Sequence, residues 1–351
     1  MKSLLQYIVE AKGISTEIDI LTTYIFNTIK EYVYQDNPEN PKVSWLYQQC
    51  KDYGYDEYPI EINFKDIKGF NKKKYNLLTY KKMGEDYADY NCDMIINIIK
   101  MDEFGSMETD EPMLNINMKY IKSKDIFEKN RVTLLNTIAH ELTHYVQHLS
   151  NLGKHQLKSS VVSVNKELRE NTEGNMKYYL CNFLLYIMNP IEMDARKQGF
   201  YQTMKEEFDK RLNQWKKLHK KEKFDKDNFI DFCLYHKDYY SNVLHMEYFD
   251  ILKDAIQKDT WENYKKCFDD KTNKYRDDSI IYVLLNICDA CETKPYIPLP
   301  SKKCYVMYVN NETEFNRYKE KLLKEYGENV NKHKKKLAKV IEFFIDQKNI
   351  K

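Results

Sequence analysis

Three residues in the run RVTLLNTIAHELTHYVQHL, Arg131–Leu149, have types and a spacing suited to hydrolysis: His140, Glu141 and His144, in the pattern H-E-x-x-H. Residues four apart on an α-helix lie one turn above each other, so both imidazoles can bind one ion while Glu141 stands beside it as a base. Neutral imidazole nitrogens with a carboxylate nearby suit Zn²⁺. The bland alternative is a chance coincidence, or a histidine pair with purely structural work. Helical context counts against it, because Val132, Leu135, Ile138, Ala139, Leu142, Val146 and Leu149 recur at spacings of three and four and make a separate apolar face. The helix is expected to bury that face and turn its polar side into a cleft.

Such a helix needs neighbours to hold it. Upstream, residues 15–35 read as a helix with Ile18, Leu21, Tyr24, Ile25 and Ile29 in periodic positions, ended by the turn-rich DNPENPK at 36–42. Short β-type runs follow: IEINF from Ile60, YNLLTY from Tyr75, DMIINIIK from Asp93 and MLNINM from Met113. Four short strands before a long helix predict an α+β fold with a small mixed sheet packed on that helix. Beyond it come a polar connection at 151–160, a helical stretch through KYYLCNFLLYI, and then NPIEMDAR. Asn189 can cap a helix whose first position is Pro190, which puts Glu192 at the third. At that position Glu192 is either a carboxylate aimed at the ion or the far member of a capping box with Asn189.

HELTHYVQH resembles the active-site helix of the zincin metallopeptidases, particularly the gluzincin type. The resemblance implies a peptidase whose third zinc ligand is a downstream glutamate. Glu192 to Ala195 is similar to the family's E-x-x-A form, whereas Arg196 departs from the E-x-x-x-D form; Asp194, Glu173 and Glu170 are substitutes in falling order. Ala195 would allow close helix contact. Gln147 and Ser150 stand where a metzincin would carry its glycine and third histidine, so that subclass is excluded. His148 is either a supporting group behind the ligands or simply polar. The ligand set implied is His140, His144 and Glu192 on Zn²⁺, with Glu141 as general base. Tyr178, Tyr179, Tyr186 and Tyr201 are the candidates for stabilising the oxyanion. The resemblance also implies a strand edge that holds an extended peptide substrate by backbone pairing, and either of the last two β-type runs can be that edge. Between them the acidic stretch DEFGSMETDEP, residues 102–112, is a loop overhanging the cleft or a solvated turn.

The 351 residues suffice for a sizeable core in one large domain with extensions, or in two. The expected division is N-terminal helices at 1–42, a catalytic core at 43–200 and a helical subdomain at 201–351. Formal charge is +2 with 31% charged residues, which argues against a nucleic-acid partner. Only 9 Gly and 8 Pro favour helix. The 8 cysteines are scattered, and the lone pair Cys288 and Cys291 reads as buried thiols rather than as a metal or redox site, which fits a reducing, cytoplasmic setting. No apolar run spans a membrane, and Glu10 interrupts the opening too early for a secretory signal. Ile8-Val9-Glu10 resembles the cleavage tripeptide of tailed-phage capsid-targeting leaders; the other reading is a plain docking helix.

Downstream, Met204, Phe208, Leu212, Trp215 and Leu218 mark one apolar helical stripe, and Val330, Leu337, Ile341 and Phe344 another. Pro295, Pro298 and Pro300 predict an extended connector, and KHKKK at 332–336 a solvated helix face. Two other function classes remain: a virion structural or cargo protein with a vestigial site, and a partner-binding module built on the C-terminal helices.

Overall fold

The computed structural model describes residues 15–52, 57–71, 79–83, 91–108, 111–149, 190–220, 222–235, 243–269, 279–282, 309 and 311–350. Helix α1, Thr16–Tyr34, starts at Ser15, whose hydroxyl accepts from the Ile18 N–H at 3.3 Å, and it carries Glu17 and Asp19 at its positive end. Its buried apolar stripe is Ile18, Leu21, Ile25, Phe26, Ile29 and Val33; of the periodic set expected from the sequence Tyr24 is only half-buried, and Phe26 and Val33 are added. Helix α2, Trp45–Asp52, strand β1, Glu57–Ile62, and the short helix α3, Tyr80–Met83, come next. They are followed by β2, Met94–Ile99, β3, Gly105–Glu108, and β4, Met113–Asn117. Two helices complete the layer: α4, Lys124–Lys129, and α5, Arg131–Leu149.

The fold is α+β and mostly helical, with one four-stranded mixed sheet in the order β1-β2-β4-β3. β1 pairs antiparallel with β2, β2 parallel with β4, and β4 antiparallel with β3. β3 thus lies between β2 and β4 in sequence but outside β4 in space. Alternation sends Ile60, Ile62, Met94, Ile96, Ile98, Leu114 and Ile116 into one core with the apolar sides of α1 and α5. Truncating one of these side chains, as in Ile96→Ala, is expected to cost about 2–5 kcal/mol. The opposite face carries a polar ladder beside a small apolar cluster of Tyr80, Cys92 and Ile95: Asn97 Nδ2 donates to Asn115 Oδ1 at 3.3 Å, and Asn115 Nδ2 donates to Ser106 Oγ at 3.2 Å and Glu108 Oε1 at 3.0 Å.

Several sequence expectations are corrected here. Neither 94–99 nor 113–117 is an edge; both strands are central, and β3 is the edge on the α5 side. β3 sits inside the stretch read as an acidic loop, because pairing with β4 outweighs the turn-like composition around Gly105. Of YNLLTY, residues 75–78 lie outside the described part, and Tyr80 begins a helix rather than a strand. Residues 1–14, with the tripeptide Ile8-Val9-Glu10, the stretch 150–189, Cys288, Cys291 and the three prolines also lie outside it.

The C-terminal half supplies α6, Pro190–Leu218, then α7, Lys226–Leu234, α8, Val243–Lys258, α9, Trp261–Asp269, and α10, Glu312–Gln347. α6 runs through residue 201 without a break. Met204, Phe208, Leu212 and Trp215 are buried on it, but Leu218, expected in the same stripe, is 71% exposed at the frayed last turn. On α10, Leu337, Ile341 and Phe344 are buried; within KHKKK, Lys332 and Lys335 are exposed while His333 is buried.

Contacts divide the chain into two units. The first comprises Met1–His155, Asp194–Ile230 and Lys339–Lys351, and besides the sheet it holds an aromatic core in which Tyr201 and Phe208 stack on Phe344 at 5.5 Å each. The second comprises Gln156–Met193 and Asp231–Ala338, with Trp261, Tyr264 and Phe315 clustered at 5.6–6.0 Å. The division crosses α6 after Met193, and the helix is continuous there. Among the described cysteines Cys50, Cys92, Cys233 and Cys267 are buried, and among the described residues no helix is long and apolar enough to cross a membrane.

Candidate metal centre

α5 buries Leu134, Leu135, Ile138, Ala139, Leu142 and Tyr145, and leaves His140, Glu141 and His144 half-buried on its other side. Leu134 and Tyr145 were missing from the expected apolar face; burial pushes the Tyr145 phenol well above its usual range, so it stays protonated. The two imidazoles meet nearly edge to face, ring centroids 4.6 Å apart, with Nε2 of His144 3.0 Å from Nε2 of His140. On the other side of its ring, His144 Nδ1 lies 3.2 Å from Gln147 Oε1. Donation of the Nδ1 proton to that oxygen leaves the Nε2 lone pair directed at His140. Gln147 was weighed in the sequence only as an argument against a subclass. Its place three residues past His144 on one helix was the available signal for its positioning role.

Glu192 completes the group: one ligand atom each from His140, His144 and Glu192, all within 4.8 Å of one another. Two bare imidazole nitrogens at 3.0 Å repel unless a proton or a cation lies between them. A tetrahedral ion with Zn–N bonds of about 2.0–2.1 Å sets its nitrogens about 3.3 Å apart, so the pair fits such an ion to within a few tenths of an ångström. The donor set, two imidazoles and a carboxylate, is also the kind zinc takes when a fourth position stays open.

The other proposed residues separate clearly. Asp194 is exposed, while Glu170 and Glu173 lie outside the described residues, as does Asn189, the partner that a capping role for Glu192 would need. The side chain of His148 is likewise outside the described part. Of the four tyrosines, only Tyr201 is described: it stacks on Phe344 nine residues further along α6 than Glu192, about 13 Å of helix, and so belongs to the aromatic core.

Four contacts set the course of α6 across its neighbours. Arg131 grips Glu206 with two bonds, Nε to Oε2 at 2.7 Å and Nη2 to Oε1 at 3.3 Å, and Asn136 Nδ2 donates to Thr203 Oγ1 at 3.0 Å. Asp19 on α1 accepts from Gln202 Nε2 and Lys205 Nζ, both at 2.8 Å. Going up α6 from Thr203 to Glu206 therefore means going down α5 from Asn136 to Arg131. The helices run antiparallel, and the N-terminal turn of α6 points along α5 towards His140 and His144.

The sheet edge reaches the same helix. A β-carbon on Gly105 would stand 2.8 Å from Thr137 Cγ2 and 2.9 Å from the Asn115 carbonyl oxygen, so only glycine lets β3 lie this close to α5. Thr137 is one turn before Glu141. The Asn117 N–H donates to the Phe104 carbonyl at 3.3 Å, which fixes the alternation of the antiparallel ladder. By that alternation Gly105 and Met107 turn their N–H and C=O groups away from β4, and among the described residues no strand pairs there. Comparison with protein-family models, with curated proteins and with solved structures finds no match to this chain.

Proposed function

We propose that this protein is a zinc-dependent peptidase of zincin kind with a gluzincin ligand set. The observation that carries the reading is the convergence of His140, His144 and Glu192, whose ligand atoms lie within 4.8 Å of one another beside Glu141 on the same helix as the histidines. A bound Zn²⁺ would polarise the scissile carbonyl and lower the pKa of a water towards about 7. His140 and His144 hold the ion through Nε2, Glu192 adds the carboxylate oxygen, and Gln147 keeps the His144 ring in the tautomer that leaves Nε2 bare. Glu141 takes the proton from the attacking water and hands it to the leaving amine nitrogen, so base and acid are one residue in two steps. The outward backbone groups of Gly105 and Met107 offer two donors and two acceptors to an extended peptide, which makes a protein or peptide segment the substrate class.

The test has two parts. Protein purified without added metal carries about one zinc per chain. Glu141→Gln keeps that zinc and lowers hydrolysis of an unbiased peptide library about 10²–10⁴-fold, the usual contribution of a general base. A chain that neither contains nor takes up zinc ends the proposal; equal cleavage by parent and variant removes Glu141 from its role.

A further inference from the structure

Two of the described glycines have no room for a β-carbon, and both press on α5 at successive residues. Gly105 of β3 meets Thr137, as above. Gly199 of α6 meets Asn136: a β-carbon there would stand 2.7 Å from Asn136 Oδ1 and 3.0 Å from both its Cγ and its main-chain oxygen. Because a backbone oxygen is one of the obstacles, a change of rotamer at Asn136 cannot relieve the contact. Asn136 is one turn before His140, and Gly199 is two turns after Glu192, so the tightest point of the crossing lies immediately beside the metal centre.

We propose that Gly199 is a positioning residue for the third ligand, setting how far the Glu192 carboxylate reaches towards His140 and His144. The inference rests on the metal-site reading above. Its physical basis is leverage along a stiff helix. Seven residues, about 10 Å of axis, separate Gly199 from Glu192, and the intervening turn includes Ala195, which is fully buried. The Arg131–Glu206 and Asn136–Thr203 contacts hold the two helices in register, so added bulk at 199 cannot be absorbed by sliding. The helices must move apart instead, by the roughly 0.5–1 Å that separates a 2.7 Å contact from ordinary van der Waals distance. Ligand distances in a metal site tolerate about 0.2 Å. A displacement several times that tolerance takes the carboxylate out of reach while leaving both histidines where they are.

The experiment is zinc titration of the full chain against a competing chelator, with circular dichroism and thermal melting on each variant. Gly199→Ala is expected to weaken zinc binding about 10–100-fold, the range typical of lost supporting interactions at metal sites. Ile256→Val, a buried change on α8 in the second unit, serves as the control that lowers stability and leaves zinc affinity unchanged. If Gly199→Ala does not fold, Thr203→Val, which deletes the acceptor of the Asn136 amide and the hydroxyl that donates to the Gly199 carbonyl at 3.3 Å, carries the test with a smaller loss in the same direction. Zinc bound as tightly by a folded Gly199→Ala as by the parent overturns the proposal, as does an unchanged affinity in Thr203→Val when that variant decides. A parent chain that binds no zinc overturns the metal reading itself, and that result is visible before any variant is made.

Discussion

Glu192 and Asp259 are both buried, at 6% and 5% exposure, and each needs compensation, because an isolated ionised carboxylate costs far more to bury than a neutral polar group. Asp259, in the second unit, is compensated by donors from its own neighbourhood. Its Oδ2 accepts from Ser279 Oγ at 2.7 Å and the Ile281 N–H at 2.9 Å, and its Oδ1 accepts from the Thr260 N–H at 2.9 Å. Those bonds tie the start of α9 to residues 279–282, and at that helix start Thr260 Oγ1 accepts from the Asn263 N–H at 3.2 Å. Glu192 has a different setting: two imidazole nitrogens lie within 4.8 Å, and the ring of His144 is also in contact with Gln147, Nδ1 to Oε1 at 3.2 Å. Burial is common to both carboxylates, so burial does not mark function. What differs is the chemistry close by, backbone and hydroxyl donors at Asp259 and two imidazole nitrogens within 4.8 Å at Glu192.

The widest gap should open when the two carboxylates are removed in turn. Glu192→Ala is expected to weaken zinc binding by more than the roughly 10–100-fold that a supporting residue costs, with a small change in stability. Asp259→Ala should leave zinc affinity untouched and cost about 3 kcal/mol, since three donors lose their acceptor at roughly 1 kcal/mol each. Zinc titration and chemical denaturation of the same two proteins give all four quantities, and a loss of zinc binding in Asp259→Ala would erase the distinction drawn here. Metal removal sharpens it next. At free zinc about 100 times Kd, binding to the folded state adds about 2.7 kcal/mol, so a chelator should lower the melting temperature of the parent and of Asp259→Ala but not that of Glu192→Ala. The smallest effect is expected at Gln147→Ala, about a tenfold loss of zinc affinity with the fold unchanged, because the imidazole keeps its place on α5 but loses the partner that fixes its tautomer. An unaltered affinity there would leave His144 oriented by its helix alone.

How much of this was legible in advance follows the range of the interactions. The extent of α5 could be read because its signals are local, apolar residues at spacings of three and four and two histidines one turn apart, although Leu134 and Tyr145 were missed on its buried face. α1 was legible for the same reason, its ends falling within a residue of the 15–35 read from the sequence. The edge strand was not. DEFGSME has the composition of a turn, and it becomes β3 through pairing with β4 and through the fit of Gly105 against Thr137, both of which need chain that is distant in space until it folds. Gly199 was equally silent, since a glycine inside a helical run signals only lost helix propensity until the crossing partner is known.

The sequence by itself therefore determined which candidate residues share a helix face. His140, Glu141 and His144 share one helix face because helical geometry is a property of consecutive residues, and Pro190 announces the start of α6 by its fixed φ and missing N–H. Resemblance put Glu192 first among several carboxylates, but only tertiary structure brings it to the histidines and decides which strand borders them. Asp194 is only two residues from Glu192 on the same helix, yet it faces solvent while Glu192 is buried near Nε2 of His140 and His144. That choice is made by the rotation of α6 against α5, which the contacts of Gly199, Thr203 and Glu206 with Asn136 and Arg131 set, and no local pattern encodes a rotation between two helices separated by so long a stretch of chain.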